Sequence, residues 1–168
     1  TAPADFLAMN APSVAALADT SEVAAGEDAV NAFLANHGAA LSVVDYREVQ
    51  PKSMHAVRLL GARQTQVDGD TVLELLYDCC GRPAKVLIAP RDSAAADHIL
   101  EAKHGAKAQI NWYDQDHSPG EGPYPTGLMG VQKTGEVGGF VAGVVSVHPT
   151  EGLLDVLKSD GGAATAVG

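Results

Sequence analysis

The chain has 168 residues and a formal net charge of −10, from 11 Lys and Arg against 21 Asp and Glu. This length suffices for one domain that buries a core without disulfides or metals. Binding to nucleic acids or to anionic membranes depends on Lys and Arg, so the acidic balance argues against both partners. No apolar run reaches the roughly 18 residues of a transmembrane helix, so no membrane-spanning segment is expected in this chain.

The first elements are a flexible arm and a short helix. Residues 1–26 are rich in Ala, Ser and Thr and show little periodicity, which is typical of an arm or linker. Residues 27–37 have the apolar spacing of an amphipathic helix. Glu27 and Asp28 suit the exposed N–H groups of its first turn, and Gly38 is a natural end.

Residues 55–90 predict three antiparallel strands, because apolar and polar residues alternate with a period of two. The pair Asp68-Gly69 favours a tight hairpin turn between the first two strands. A second turn follows at residues 80–83. The returning strand has one apolar face, made by Leu73, Leu75, Tyr77 and Cys79. The residues between these four are more polar.

The second half of the chain adds further helices and strands. Asp92 or Ser93 can cap the next helix, and Thr150 can cap the last. The predicted elements are a helix over 94–104, a strand over 109–113, a Gly- and Pro-rich loop over 118–130, a strand over 137–148 and a helix over 153–158. We expect a single α+β domain over residues 27–160, with an antiparallel sheet of about five strands and two or three short helices, followed by a frayed tail over 161–168.

Two neighbouring cysteines, Cys79 and Cys80, are the first candidate site. Adjacent Cα atoms lie about 3.8 Å apart, below the usual disulfide range of roughly 4.4–6.8 Å, so a bridge between them would be strained. If the strand continues through both residues, their side chains point to opposite faces and Cys79 joins the core. If the turn begins earlier, the two thiols form a vicinal pair that can bind a soft metal ion or react with oxidants.

An acidic loop over residues 114–121 is the second candidate site. It contains Asp114, Asp116 and His117, which are suitable metal ligands or could orient a water molecule. The loop departs from the EF-hand calcium pattern, because prolines stand where that pattern needs its Gly and its closing Glu. An ordinary polar loop is the alternative interpretation.

A series of motifs follows the first predicted helix. They are Val57-Arg-Leu-Leu-Gly61-Ala62-Arg63, then Val67-Asp68-Gly69-Asp70 with Leu75-Leu-Tyr77, and Lys85-Val-Leu-Ile-Ala-Pro90. With that helix, they make residues 28–90 resemble the extracytoplasmic domain of bacterial transmembrane anti-sigma factors. The resemblance covers just over a third of the chain. It implies a sensor or interaction module, although the family's cytoplasmic zinc-binding region and membrane helix have no counterpart in this sequence.

For function, the sequence favours a non-catalytic sensing or protein-interaction domain with a protein partner. We expect it in the periplasm, with the cytoplasm as the alternative. Two other classes of function stay open. One is a soft-metal or thiol-reactive binding protein that uses Cys79 and Cys80, and the other is a small enzyme or enzyme subunit that uses the loop over 114–121.

Overall fold

A computed structural model describes residues 26–67, 69–79, 82–106, 131–146, 152–160, 162–163 and 165–166. These residues form an α+β fold, as the sequence predicts. In chain order the elements are α1 (Glu27–Asn36), β1 (Ser42–Val43), α2 (Tyr46–Val49), β2 (Val57–Val67), β3 (Asp70–Cys79), β4 (Arg82–Pro90), α3 (Ala94–Ala106), β5 (Val131–Val137), β6 (Phe140–Ser146), a 3₁₀ helix (Leu153–Val156), β7 (Leu157–Ser159), β8 (Gly162–Ala163) and β9 (Thr165–Ala166). The predicted strand over 109–113 and the predicted loop over 118–130 lie outside the described residues.

The main sheet is antiparallel and has the strand order β2-β3-β4-β6-β5-β9. Its first three strands confirm the predicted meander, because β3 pairs with both β2 and β4. Gly69 has a φ of 85° in the first turn, a conformation that favours glycine. The register of β2 against β3 shifts between Leu59 and Gly61. This bulge places Leu59 opposite Tyr77.

The predicted single strand over 137–148 is wrong, because the chain reverses direction inside it. β5 and β6 form a hairpin in which Val137 pairs with Phe140. Gly138 and Gly139 form its two-residue turn, with φ values of 54° and 83°, and two consecutive positive φ angles are typical of a tight hairpin. A Cβ at Gly138 would lie 2.9 Å from Leu41 Cδ2, so a side chain there would collide with the core.

The predicted final helix over 153–158 is also wrong. One 3₁₀ turn precedes β7, which pairs with β1 and β8 in a small second sheet. Gly152 occupies the N-cap position with a φ of 81°, whereas the predicted cap Thr150 lies outside the described residues. The apolar residues of this segment do not form one helical stripe. Leu153, Leu154, Val156 and Leu157 are all buried, so the segment packs on several sides.

Both faces of the main sheet are covered at β3. One face joins α1, the small sheet and the 3₁₀ helix in the larger core, to which β3 contributes Leu73, Leu75, Tyr77 and Cys79. The opposite face of β3 is also covered, since α3 contacts β3, β4, β5 and β6 and Val72 and Leu76 are buried. The predicted cap of α3 is confirmed, because Ser93 Oγ accepts a hydrogen bond from the backbone N–H of Ala96 at 3.1 Å.

Asn31 fastens the short strand β1 to α1. Its side-chain oxygen accepts a hydrogen bond from the backbone N–H of Val43 at 2.7 Å, and its amide nitrogen donates to the carbonyl oxygen of Val43 at 3.3 Å. Since β1 is an edge of the small sheet, these bonds satisfy backbone groups that a further strand would otherwise pair. The β1–α2 segment is therefore held against the larger core.

We expect Asn31→Ala to lower the free energy of unfolding by about 1–3 kcal/mol, because two partly buried backbone groups lose their partner. Asn36→Ala, in the exposed last turn of the same helix, should change it by less than about 0.5 kcal/mol. Urea unfolding followed by circular dichroism measures both. An Asn31→Ala variant as stable as the unmodified chain would contradict the anchoring role.

Candidate functional site

Of the five predicted site residues, the described part of the chain contains one. Cys79 is fully buried at the end of β3, opposite Val57. The others lie outside the described residues: Cys80, Asp114, Asp116 and His117. No group of three or more potential metal-binding side chains occurs within the described ranges. The soft-metal site therefore stays a prediction, with Cys79 placed in the core as the continuous-strand interpretation expects.

A cavity of about 190 Å³ lies between α1, the β1–α2 segment and the neighbouring strands β2 and β3. Its apolar walls are Val44, Val57 and Leu59. A cavity of about 150 Å³ accommodates benzene in another protein, so this space is suited to a group of about the size of one amino-acid side chain. We call it the Tyr77 cavity, after the tyrosine that lines it from β3.

Tyr77 lines the cavity from β3 and has only 1% of its surface exposed. The period of the strand places its side chain on the same face as Leu75 and Cys79. Within the described residues, its hydroxyl has no hydrogen-bond partner. Most buried polar groups in native proteins are hydrogen-bonded, so the unpaired hydroxyl of Tyr77 is an exception to that rule.

The surroundings of Tyr77 keep its hydroxyl protonated. Burial raises the pKa of Tyr77 far above its usual range, and the carboxylates of Asp45 and Glu27 raise the pKa further. Both causes disfavour a phenolate, one by withholding water and the other by repulsion. Tyr77 is therefore a neutral group that can donate or accept a hydrogen bond.

Two carboxylates from separate elements line the cavity beside Tyr77. Asp45 precedes α2 and caps it, since its Oδ1 accepts a hydrogen bond from the backbone N–H of Arg47 at 2.8 Å. Glu27 is the first residue of α1. Both residues are exposed. The cavity therefore has a buried neutral phenol at one side and two solvated negative charges at its edge.

Arg58 also lines the cavity, but its charge points elsewhere. It pairs with Asp78 across the strands, and neighbouring residues of a strand point to opposite faces. Its guanidinium lies 3.5 Å from the carboxylate of Asp78. The positive charge of Arg58 thus lies on the face of the sheet opposite Tyr77.

A second polar cluster lies on that opposite face of β3. Glu74 is fully buried, accepts a hydrogen bond from Arg63 Nε and has its Oε1 3.7 Å from Lys85 Nζ. Burial lowers the pKa of Lys85 and the Arg63 guanidinium lowers it further, whereas Glu74 acts in the opposite direction. With only 3% of its surface exposed, Lys85 is shielded from solvent, so this cluster is an internal ion network.

Comparisons of the chain with protein-family models, curated proteins and solved structures found no significant match. The resemblance of residues 28–90 to anti-sigma extracytoplasmic domains therefore stays a prediction. None of the helices in the described ranges has the length and hydropathy that a membrane span requires.

The two tyrosines of the cavity provide a matched test of the unpaired hydroxyl. Tyr46 also lines the cavity, but its hydroxyl donates a hydrogen bond to Ser53 Oγ at 3.2 Å. We expect Tyr77→Phe to leave the free energy of unfolding unchanged or to raise it by about 1–2 kcal/mol, because it removes a buried group without a partner. Tyr46→Phe should lower that free energy by about 0.5–1.5 kcal/mol. Urea denaturation measures both, and a clear loss in Tyr77→Phe would contradict the unpaired state of Tyr77.

Lys85 predicts a dependence of stability on pH. Its pKa in the folded protein lies below the ordinary 10.5, so between these two values the unfolded chain binds more protons than the folded one. The contribution of Lys85 to the free energy of unfolding therefore rises as the pH increases from the lowered pKa to about 10.5. We expect Lys85→Met to remove this rise and Lys52→Met, at an exposed position, to retain it. Equal pH slopes for all three proteins between pH 7 and 10, measured by urea denaturation, would contradict the assignment.

Proposed function

We propose that this chain is a non-catalytic sensing or protein-interaction domain that recognises its ligand in the Tyr77 cavity. The observation that carries the proposal is that Tyr77 lines a cavity and that its buried hydroxyl has no hydrogen-bond partner within the described residues. An unpaired buried polar group costs about 1–3 kcal/mol. A ligand that supplies the missing hydrogen bond would remove this cost when it binds.

The chemistry of the cavity supports recognition more than turnover. An efficient general acid or base has a pKa near the working pH, whereas burial and two carboxylates move the pKa of Tyr77 away from neutrality. A phenol in this state is a fixed hydrogen-bonding group. Such groups, set among apolar walls, orient a ligand and give a binding site its specificity.

The position of the cavity supports a sensing role. Tyr77 and Leu59 lie on paired strands of the main sheet, while Glu27 and Asp45 belong to α1 and to the segment before α2. A ligand in the cavity would contact the sheet and these helical elements together. It would stabilise the arrangement in which both surfaces face it, and this preference is the physical basis of a ligand-dependent signal.

The resemblance to anti-sigma extracytoplasmic domains also supports this proposal. It covers the meander and nearly all of α1, and therefore Val57, Leu59 and Tyr77 of the cavity. On this basis we place the domain outside the cytoplasm, in the periplasm, with a protein as its partner.

A substitution that fills the cavity tests the proposal. Leu59→Phe adds a ring to a lining residue, and Leu60→Phe makes the same change at the next residue, which does not line the cavity. The ¹⁵N-labelled chain is titrated with a set of alkylamines, alkyl carboxylates, alcohols and short peptides. We expect at least one class to shift the amide signals of residues 44–46 and 57–59 in the unmodified chain and in Leu60→Phe, but not in Leu59→Phe.

The same titration defines the results that contradict the proposal. If no compound shifts these signals, or if binding persists unchanged in Leu59→Phe, the cavity is not the recognition site. Each compound is also analysed by mass spectrometry after incubation. Conversion of a bound compound into a product, lost in Leu59→Phe, would show that the domain is an enzyme.

A further inference from the structure

The charges that face the Tyr77 cavity have one sign. Asp45 and Glu27 line the cavity together with Tyr77, and their carboxylates raise the pKa of its hydroxyl. The guanidinium of Arg58 is instead engaged by Asp78 on the opposite face of the sheet. A positive ligand is therefore attracted to the cavity and a negative ligand is repelled. The net charge of −10 for the whole chain acts in the same direction.

The acidic side chains that line the cavity suit a ligand that donates hydrogen bonds. Asp45 and Glu27 provide carboxylate oxygens, which accept hydrogen bonds. The oxygen of Tyr77 has lone pairs and no partner within the described residues. An ammonium group carries three donors and no acceptor, and a guanidinium carries five donors and no acceptor. Either group can donate a hydrogen bond to the oxygen of Tyr77 or to a carboxylate without leaving an acceptor of its own unpaired.

The size and walls of the cavity select an organic cation. Its volume of about 190 Å³ is below the roughly 300–1,000 Å³ of sites for drug-sized ligands, which argues against nucleotides and oligosaccharides. A bare metal ion would leave most of this space unfilled. Val44, Val57 and Leu59 provide apolar surface that suits the alkyl stem of an amine or of a long basic side chain. Tyr46 and Tyr77 add aromatic surface, which also favours cations.

From this combination we infer that the Tyr77 cavity binds an organic cation, the ammonium or guanidinium group of a small amine or of a Lys or Arg side chain of a protein partner. The inference rests on the proposed function and names the class of ligand. Two polar groups with independent positions in the chain support it, the buried unpaired hydroxyl of Tyr77 and the carboxylate of Asp45, which is oriented by its cap on α2.

The first experiment compares three small molecules of nearly the same shape. The chain is titrated with n-butylammonium, n-butanol and butyrate, and the amide signals of residues 44–46 and 57–59 report on the cavity. We expect n-butylammonium to shift these signals to saturation, with a dissociation constant at least several-fold lower than that of n-butanol. Butyrate should leave them unchanged.

The second experiment uses charge-neutralising variants. Asp45→Asn keeps a side-chain oxygen that can cap α2, and Glu27→Gln keeps the size of its side chain. Each of these two changes should weaken the binding of n-butylammonium by about two- to tenfold, because each removes one interaction with the ligand. Tyr77→Phe should have an effect of the same size. Asp28→Asn is the matched control, because it removes the same charge from the next residue of α1, which does not line the cavity. It should change the dissociation constant by less than about twofold.

A third experiment distinguishes the two sources of the cation. A blocked peptide with one central Lys and its Arg counterpart are titrated into the same chain, with a norleucine peptide as the uncharged control. A Lys or Arg peptide that displaces n-butylammonium and binds at least tenfold more tightly identifies a partner's side chain as the ligand. Binding no tighter than that of n-butylammonium identifies a free amine.

Three outcomes would overturn the inference. If butyrate or n-butanol occupies the cavity as well as n-butylammonium does, the ligand is not a cation, although the proposed recognition role of the cavity stands. If Asp45→Asn and Glu27→Gln bind n-butylammonium as tightly as the unmodified chain, the affinity arises from the general negative charge. If no probe of any class shifts the amide signals of residues 44–46 and 57–59, the proposed function is contradicted as well.

Discussion

The two pairings of β3, with β2 on one side and β4 on the other, determine where every polar group of interest lies. Side chains alternate along a strand, and both faces of this strand are buried. Tyr77 therefore enters the larger core beside the cavity, and Glu74 lies buried on the opposite face. The strand thus buries two polar side chains, the neutral Tyr77 and the charged Glu74. Each of them needs a partner from another element.

The two polar side chains differ in the partners that the fold provides. Glu74 has Arg63 on β2 and Lys85 on β4 as ionic partners, so its charge is compensated within the sheet. Tyr77 has no hydrogen-bond partner in the described part of the chain, although a phenylalanine would fill the same core position without that cost. Tyr77 thus combines an unpaired buried hydroxyl with a position in the lining of a cavity. This contrast is why we propose a recognition role for the Tyr77 cavity and a structural role for the ion network.

The sequence predicted the elements that have local signals. Asp68-Gly69 and a period of two specify the meander, and Ser93 specifies the start of α3. The pair Gly138-Gly139 was ambiguous, because glycine occurs both at weak points of strands and in tight turns, and only the pairing of β5 with β6 decides between them. The cavity had no local signal at all. Glu27, Asp45 and Tyr77 are far apart in the chain, and each has an ordinary local explanation as a first-turn acid, a helix cap or a core residue.

The sign of the charge at the cavity depends on one irregularity in β2. From the hairpin turn to Gly61, which lies opposite Leu76, the register against β3 is regular, and the bulge then shifts it so that Leu59 faces Tyr77 and Arg58 faces Asp78. If the regular register continued past Gly61 without the bulge, Arg58 would lie opposite Cys79, on the face that carries Tyr77. A guanidinium beside the phenol would offset the carboxylates of Asp45 and Glu27 and exclude a cation. The bulge thus keeps the positive charge on the far face, and the chemistry of the cavity follows from the register of a single strand pair.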